Sequence, residues 1–103
     1  MAFAPIKDAI DDIRAGRMVV VVDDEDRENE GDLVCAAERV TTDMVNFMLD
    51  AKGMICLAVT NAWADHLGLQ PQVEENTESM STAFTVSIDA AARYGVSTGI
   101  SSR

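Results

Sequence analysis

The sequence predicts an α/β or α+β fold, a layered α/β/α sandwich built around a mixed sheet. The apolar pattern changes period along the chain in the order helix, strand, helix, strand, strand, which is typical of a sheet covered by helices. The 103 residues are 48% hydrophobic and 25% charged, the composition of an ordinary globular domain with room for one small core. We therefore expect residues 1–103 to belong to one domain.

The first helix and the first strand follow from the opening third of the chain. Isoleucines recur at helical spacing over residues 6–15, and Gly16 follows as a C-terminal stop. Residues 18–22 are an uninterrupted apolar run rich in valine, which predicts a strand buried on both faces. The apolar residues 33–37 predict a further short strand.

A second helix and a second long apolar strand are expected in the middle of the chain. Thr41 or Thr42 is a suitable N-cap, and the helix is expected to close near Gly53. Its buried stripe consists of Met44, Val45, Met48 and Leu49. Residues 54–60, MICLAVT, then predict an apolar strand.

The last third of the chain is expected to be less regular. Asn61 is positioned to cap a short helix that runs through Leu67. Residues 69–82 are polar, contain a proline and predict an irregular segment, and long irregular segments in compact domains are often functional. Alternating apolar and polar residues over 84–89 predict a half-exposed strand.

Composition excludes several classes of function. The formal net charge of −10 repels phosphate backbones and anionic lipids, so we expect neither nucleic acid nor membrane as a partner. No apolar run approaches the roughly twenty residues that span a bilayer, and one histidine with two separated cysteines does not make a zinc site. The chain opens without the pattern of a secretory signal, so we expect a cytoplasmic protein with reduced thiols.

The acidity is concentrated in residues 23–32, which carry seven carboxylates and one arginine. Such a run is commonly a solvated surface loop, but this one follows a predicted buried strand, where layered α/β folds place ligands. Two carboxylates 4 Å apart repel by roughly 1 kcal/mol in water and more near a protein surface. Hard cations such as magnesium, calcium or manganese would offset this repulsion. Crowding is also expected to raise the pKa of one carboxyl group toward that of a general base.

The run DDEDRENEGDL closely resembles the signature of 3,4-dihydroxy-2-butanone 4-phosphate synthases, and the resemblance continues through KGMICLAVT, TAFTVSIDAA and STGIS. It implies the N-terminal part of a synthase domain over residues 1–103. The implied reaction converts D-ribulose 5-phosphate to L-3,4-dihydroxy-2-butanone 4-phosphate and formate in riboflavin biosynthesis. The resemblance further implies magnesium or manganese as cofactor and a homodimer as the assembly.

The resemblance implies roles for four residues of the acidic run. Glu28 corresponds to a metal ligand and, together with Arg27 and Asp32, to a substrate-contacting residue. Glu30 corresponds to a further acid or base, so that Glu28, Glu30 and Asp32 form the catalytic carboxylates. Arg27 could instead serve only to balance the charge of its neighbours.

Two further site residues are implied outside the acidic run. Cys56, within KGMICL, resembles a cysteine near the sugar, although a small buried hydrophobic residue on a strand is an equally good interpretation. Thr98, within STGIS, resembles a threonine close to the substrate, and its alternative is a turn residue.

The later half of the family's domain carries an R-x-G-H-T motif that supplies the second metal ligand and the phosphate site, and this motif has no counterpart in the 103 residues. The chain therefore resembles an apparently truncated domain. The first hypothesis is an active synthase in which the missing half of the domain completes the site. Two other hypotheses remain. One is a catalytically inactive fragment, and the other is a self-associating module with uncovered apolar surface and unpaired strand edges.

Overall fold

The computed structural model describes residues 2–97, which form two compact units, residues 2–55 and residues 56–97. Within the described residues the fold is a small mixed α/β arrangement with three α-helices and a two-stranded sheet. The elements of the first unit are α1 (Ile6–Arg14), β1 (Val19–Val22), β2 (Gly31–Val34) and α2 (Thr42–Asp50). The second unit contains α3 (Asn61–Leu67), and short 3₁₀ turns occur at Ala37–Arg39 and Ala92–Tyr94.

Helix α1 forms where the isoleucine spacing predicts it and packs against β1. On the exposed face of the helix, the Asp11 carboxylate forms ion pairs with two residues. Its Oδ2 lies 2.6 Å from Lys7 Nζ, and its Oδ1 lies 3.1 Å from Arg14 Nη1. Gly16 follows with a φ of +84°, a left-handed conformation that glycine adopts readily and that ends helices. The predicted stop is confirmed.

Strands β1 and β2 form an antiparallel hairpin, with Val19 opposite Val34 at the open end and Val22 opposite Gly31 at the loop end. The second strand was expected over residues 33–37 and instead spans Gly31–Val34, because the pairing with β1 determines where it begins. The hairpin therefore holds residues 23–30 between two paired strand ends.

Helix α2 confirms its predicted cap and its predicted stripe. The Thr41 hydroxyl oxygen accepts a hydrogen bond from the Met44 N–H at 3.2 Å, which satisfies one of the free donors of the first turn. The four residues of the stripe are half-buried, and their neighbours on the helix are exposed. In α3 the cap is Thr60 rather than Asn61, since the Thr60 hydroxyl accepts the Trp63 N–H at 3.1 Å.

Two predicted strands are wrong within the described residues. Residues 54–60 pair with no other segment of 2–97, and residues 84–89 contribute only one isolated bridge, between Pro71 and Thr85. A strand needs a ladder of hydrogen bonds to a neighbour. Within the described part of the chain, residues 84–89 have only the two backbone bonds to another segment beside this bridge, from the Gln72 N–H to the Phe84 carbonyl oxygen and from the Val86 N–H to the Gln70 carbonyl oxygen. The apolar pattern therefore predicted strand pairing that the described residues do not form.

The expected burial of β1 is also wrong for the described residues. Val20 is 65% exposed, and no described side chain is fully buried. Valine-rich strands normally lie between covering layers, whereas among residues 2–97 β1 pairs with β2 and packs against α1. No helix among residues 2–97 is both long and apolar enough to cross a membrane.

Candidate functional site

The acidic run forms the loop of the hairpin, residues 23–30, which we call the Asp23 loop. Val22 and Gly31 are paired at its base, so both ends of the loop are held by the strand ladder. The Asp23 N–H donates a hydrogen bond to the Glu30 carbonyl oxygen at 3.4 Å, which joins the two ends of the loop just beyond the last strand pair. The strands therefore concentrate the charged residues at one end of the hairpin.

The Asp23 carboxylate shapes the interior of this loop. Its Oδ2 accepts hydrogen bonds from Arg27 Nη1 at 2.8 Å and from the Glu28 N–H at 2.9 Å, and its Oδ1 accepts the Glu30 N–H at 3.0 Å. These donors hold the pKa of Asp23 below its ordinary value, the Glu30 N–H contributing most and the Glu28 N–H next. The expected upward shift of a crowded carboxyl group is therefore reversed at this residue.

The turn within the loop is formed by the backbone. The Asp24 carbonyl oxygen accepts the Arg27 N–H at 3.0 Å and the Asn29 N–H at 3.3 Å. Asn29 has a φ of +51°, in the left-handed region that asparagine tolerates better than most residues. The chain thereby reverses between Arg27 and Glu30, and the Glu28 and Glu30 amides both turn toward Asp23.

Arg27 is the cationic centre of the loop. Besides its bond to Asp23, its Nη2 lies 3.5 Å from Glu28 Oε1. Its pKa is raised above the ordinary arginine value, first by the hydrogen bond to Asp23 and then by the negative charge of Glu28, with a smaller contribution from Asp32. The guanidinium group is thus fixed in position and lies beside the carboxylate of the predicted metal ligand.

Four of the six predicted site residues lie on or next to the Asp23 loop. Arg27, Glu28 and Glu30 lie on the loop, and Asp32 lies on β2 next to the loop. Cys56 belongs to the second unit and carries an exposed free thiol on an unpaired segment, so the alternative of a buried residue on a strand is not observed. Thr98 lies outside the described residues.

The donor chemistry of the Asp23 loop suits a hard divalent cation. Residues 2–97 contain no group of three or more His, Cys, Asp or Glu side chains arranged to hold a metal ion. Mg²⁺, however, keeps several waters and takes one or two carboxylates together with substrate oxygens. The Glu28 carboxylate is a ligand of this kind, and it fits the role of one protein ligand among several.

Asp23 is the residue that sequence reasoning missed. The acidic run contains seven carboxylates of similar appearance, and nothing in the composition distinguishes this one. Its position does, because it is the first residue after a strand and precedes a turn. Aspartate in that position commonly accepts hydrogen bonds from backbone N–H groups a few residues further on.

A second loop built around one carboxylate occurs in the second unit, over residues 76–82, and we call it the Glu78 loop. Glu78 Oε2 accepts the Met80 and Thr82 N–H groups, each at 2.9 Å. The Glu78 N–H donates to Asn76 Oδ1 at 3.0 Å, and the Asn76 amide donates to the Thr82 carbonyl oxygen at 3.0 Å. The Thr82 N–H first and the Met80 N–H next lower the pKa of Glu78 below its ordinary value.

Comparisons with known proteins show which family the chain resembles. The profile of the 3,4-dihydroxy-2-butanone 4-phosphate synthase family matches residues 7–103. The riboflavin biosynthesis protein RibBA of Synechocystis sp. is 59% identical over 100 residues, covering 96% of this chain and 18% of the relative. The 3,4-dihydroxy-2-butanone 4-phosphate synthase of Wolinella succinogenes is 54% identical over 97 residues, covering 93% of this chain and 27% of the relative.

Two solved structures are similar in fold. A crystal structure of 3,4-dihydroxy-2-butanone 4-phosphate synthase in complex with two magnesium ions gives a TM-score of 0.90 at 42% identity, over 97% of this chain and 46% of that one. RibBX of A. baumannii, a two-domain synthase, gives 0.81 at 44% identity, over 96% and 29%. The chain spans 18% and 27% of the length of the two curated relatives above. It belongs to the 3,4-dihydroxy-2-butanone 4-phosphate synthase family.

Proposed function

We propose that this chain supplies the acidic catalytic loop of a synthase that converts D-ribulose 5-phosphate to L-3,4-dihydroxy-2-butanone 4-phosphate and formate in riboflavin biosynthesis. The observation that carries the proposal is the Asp23 loop, which presents Arg27 beside Glu28 at 3.5 Å in a chain of this family. The guanidinium group of Arg27 can bind substrate oxygens that become negatively charged, and the Glu28 carboxylate beside it can ligate a cation.

The reaction begins with removal of a proton next to the ketone, and the loop supplies carboxylates for that step. Glu30 and Asp32 are the proposed acid and base groups, both at the loop end of the hairpin. Arg27 offers charge-assisted hydrogen bonds to substrate oxygens. Proton removal leaves negative charge on those oxygens, and a fixed cation stabilises it more than mobile water does.

Glu28 is the proposed protein ligand for Mg²⁺ or Mn²⁺. When bound, the cation offsets negative charge that develops on the substrate oxygens. The support is the hard carboxylate oxygen of Glu28 and the two magnesium ions in one solved relative. Manganese has the same preference for oxygen ligands and is proposed as a substitute.

Cys56 and Thr98 are proposed to contact the sugar and the substrate. The role of Cys56 is supported by its free and exposed thiol, which is accessible to a ligand. Thr98 is supported by its place in STGIS. Both assignments rest on the match to the family.

We also propose that the fold is a layered α/β/α sandwich with a mixed sheet and that the protein is a cytoplasmic homodimer. The support is the uncovered apolar surface of the first unit, where Val20 is 65% and Phe47 is 56% exposed. Apolar area of this kind is normally buried by further layers or by a second subunit. The net charge of −10 supports the absence of nucleic-acid and membrane partners.

The test is formate release from ribulose 5-phosphate by the polypeptide that carries this sequence, followed by ¹H NMR with Mg²⁺ and again after removal of divalent ions by EDTA. We expect formate and the four-carbon phosphate in equal amounts, and loss of both with EDTA. Absence of formate with saturating Mg²⁺ would contradict the proposal and favour a catalytically inactive fragment. Sedimentation analysis of the same sample tests the homodimer.

A further inference from the structure

We propose that Asp23 is a positioning residue for the synthase reaction, acting through Arg27 and through the backbone of Glu28 and Glu30. The inference rests on the proposed function, since it assigns a role in the chemistry of the same loop. It adds a residue that neither the composition of the acidic run nor its charge distinguishes from its neighbours.

The geometry separates Asp23 from the other carboxylates of the loop. Both of its oxygens accept hydrogen bonds, three in all, at 2.8 to 3.0 Å, and its side chain is 20% exposed. An oxygen that accepts short bonds from fixed donors is poorly placed to ligate a metal or to take a proton. Asp23 is therefore suited to hold other groups rather than to react.

The groups that Asp23 holds are those assigned to substrate and metal. The guanidinium group of Arg27 is fixed at one nitrogen by Asp23, and its second nitrogen lies toward Glu28. The Glu28 and Glu30 amides are bound to the same carboxylate, so both side chains start from a backbone of fixed position. Outer residues that orient ligands in this way typically contribute 10- to 100-fold in metal affinity or activity.

A matched control exists in the adjacent residue. Within the described residues the Asp24 side chain accepts no hydrogen bond and makes no ion pair, and only its backbone carbonyl oxygen takes part in the turn. Asp23→Asn and Asp24→Asn therefore remove the same charge from neighbouring positions. Only the first replaces one of the two oxygens that accept from Arg27 and the two amides by an NH₂ group, which donates and cannot accept.

The experiment compares these two variants in the polypeptide that carries this sequence. For Asp23→Asn we expect kcat/KM for ribulose 5-phosphate to fall about 10- to 100-fold and the Mn²⁺ dissociation constant, from electron paramagnetic resonance titration, to rise about tenfold. Amide exchange is expected to quicken at Glu28 and Glu30 and to stay unchanged in α2. For Asp24→Asn we expect both constants within about twofold of the unsubstituted protein.

Each other outcome has a definite meaning. Equal kcat/KM and equal Mn²⁺ affinity in the two variants would overturn the inference while leaving the proposed function intact. Faster exchange throughout α2 as well as the loop would assign Asp23 to general stability and would also overturn it. Absence of formate from the unsubstituted protein would overturn the proposed function itself, and the positioning role in catalysis with it.

Discussion

The Asp23 loop and the Glu78 loop use the same hydrogen-bonding device and carry different residues. In each, one carboxylate accepts two backbone N–H groups from residues further along the chain, and its pKa is lowered as a result. In each, one residue other than glycine has a positive φ, 51° at Asn29 and 54° at Ser81. The backbone geometry alone would therefore not mark the Asp23 loop as the proposed catalytic one.

The difference lies in the remaining donors and in the charge. Asp23 also binds the guanidinium group of Arg27, whereas Glu78 binds the hydroxyl group of Ser79 at 3.3 Å. The Asp23 loop contains further carboxylates and an arginine, whereas Glu78 is the only charged residue of residues 76–82. The shared carboxylate therefore shapes a loop, and the charged side chains that the loop presents give it a chemistry.

The largest expected effect comes from the isosteric pair Glu28→Gln and Glu78→Gln. Glu28→Gln replaces the proposed metal ligand by a neutral amide, and we expect kcat/KM to fall by about 100-fold or more, with loss of Mn²⁺ binding. Glu78→Gln removes the same charge from the other loop, and we expect lower thermal stability with kcat/KM within about twofold. Steady-state kinetics and calorimetric Mn²⁺ titration provide the measurements. Equal losses of activity would remove the distinction between the loops.

An intermediate effect is expected when the side-chain donor to each central carboxylate is changed, Arg27 for Asp23 and Ser79 for Glu78. Arg27→Lys keeps the positive charge and loses the planar fork that spans Asp23 and Glu28. Loss of one charge-assisted hydrogen bond weakens binding about tenfold. We therefore expect KM for ribulose 5-phosphate to rise by about that factor. Ser79→Ala is the counterpart in the Glu78 loop and should leave KM unchanged. A normal KM for Arg27→Lys would show that this arginine only balances charge.

The pKa of Glu78 predicts how the stability of its loop depends on pH. A carboxyl group with a lowered folded-state pKa stabilises the fold above its unfolded value, 4.5 for Glu78. That contribution is lost as the pH falls through the lower folded-state pKa. The melting temperature should therefore exceed that of Glu78→Gln by a constant amount above about pH 6, and the two should converge as the pH falls from 4.5 through the lower folded-state pKa. A difference that widens in acid would contradict the sign of this shift.

Local structure was predictable from the sequence where the determining residues are neighbours in the chain. Thr41 caps α2 and Gly16 ends α1 as predicted, because a cap and a stop need only the adjacent turn. The half-buried stripe of α2 follows from its spacing for the same reason. The placement of Arg27 and Glu28 together on one loop is also local, since they are adjacent residues between two paired strands.

Strand pairing and burial were not predictable, because they depend on residues far away in the chain. Residues 54–60 have the composition of a strand and no paired neighbour among residues 2–97, and Val20 is exposed where burial was expected. The role of Asp23 was missed for a related reason. Its partners lie four, five and seven residues further on, and they meet it only once the strands have closed the loop.

The smallest expected effect concerns the two residues with positive φ. Serine pays roughly 1–2 kcal/mol in the left-handed region, while glycine loses about 0.5–1 kcal/mol more backbone entropy on folding. Ser81→Gly should therefore raise the free energy of unfolding by about 0.5–1 kcal/mol. Asparagine visits this region readily, so Asn29→Gly should be neutral or slightly destabilising. Chemical denaturation of both variants measures the difference, and a larger gain at Asn29 than at Ser81 would show that the Asp23 loop, not the Glu78 loop, holds the more strained backbone.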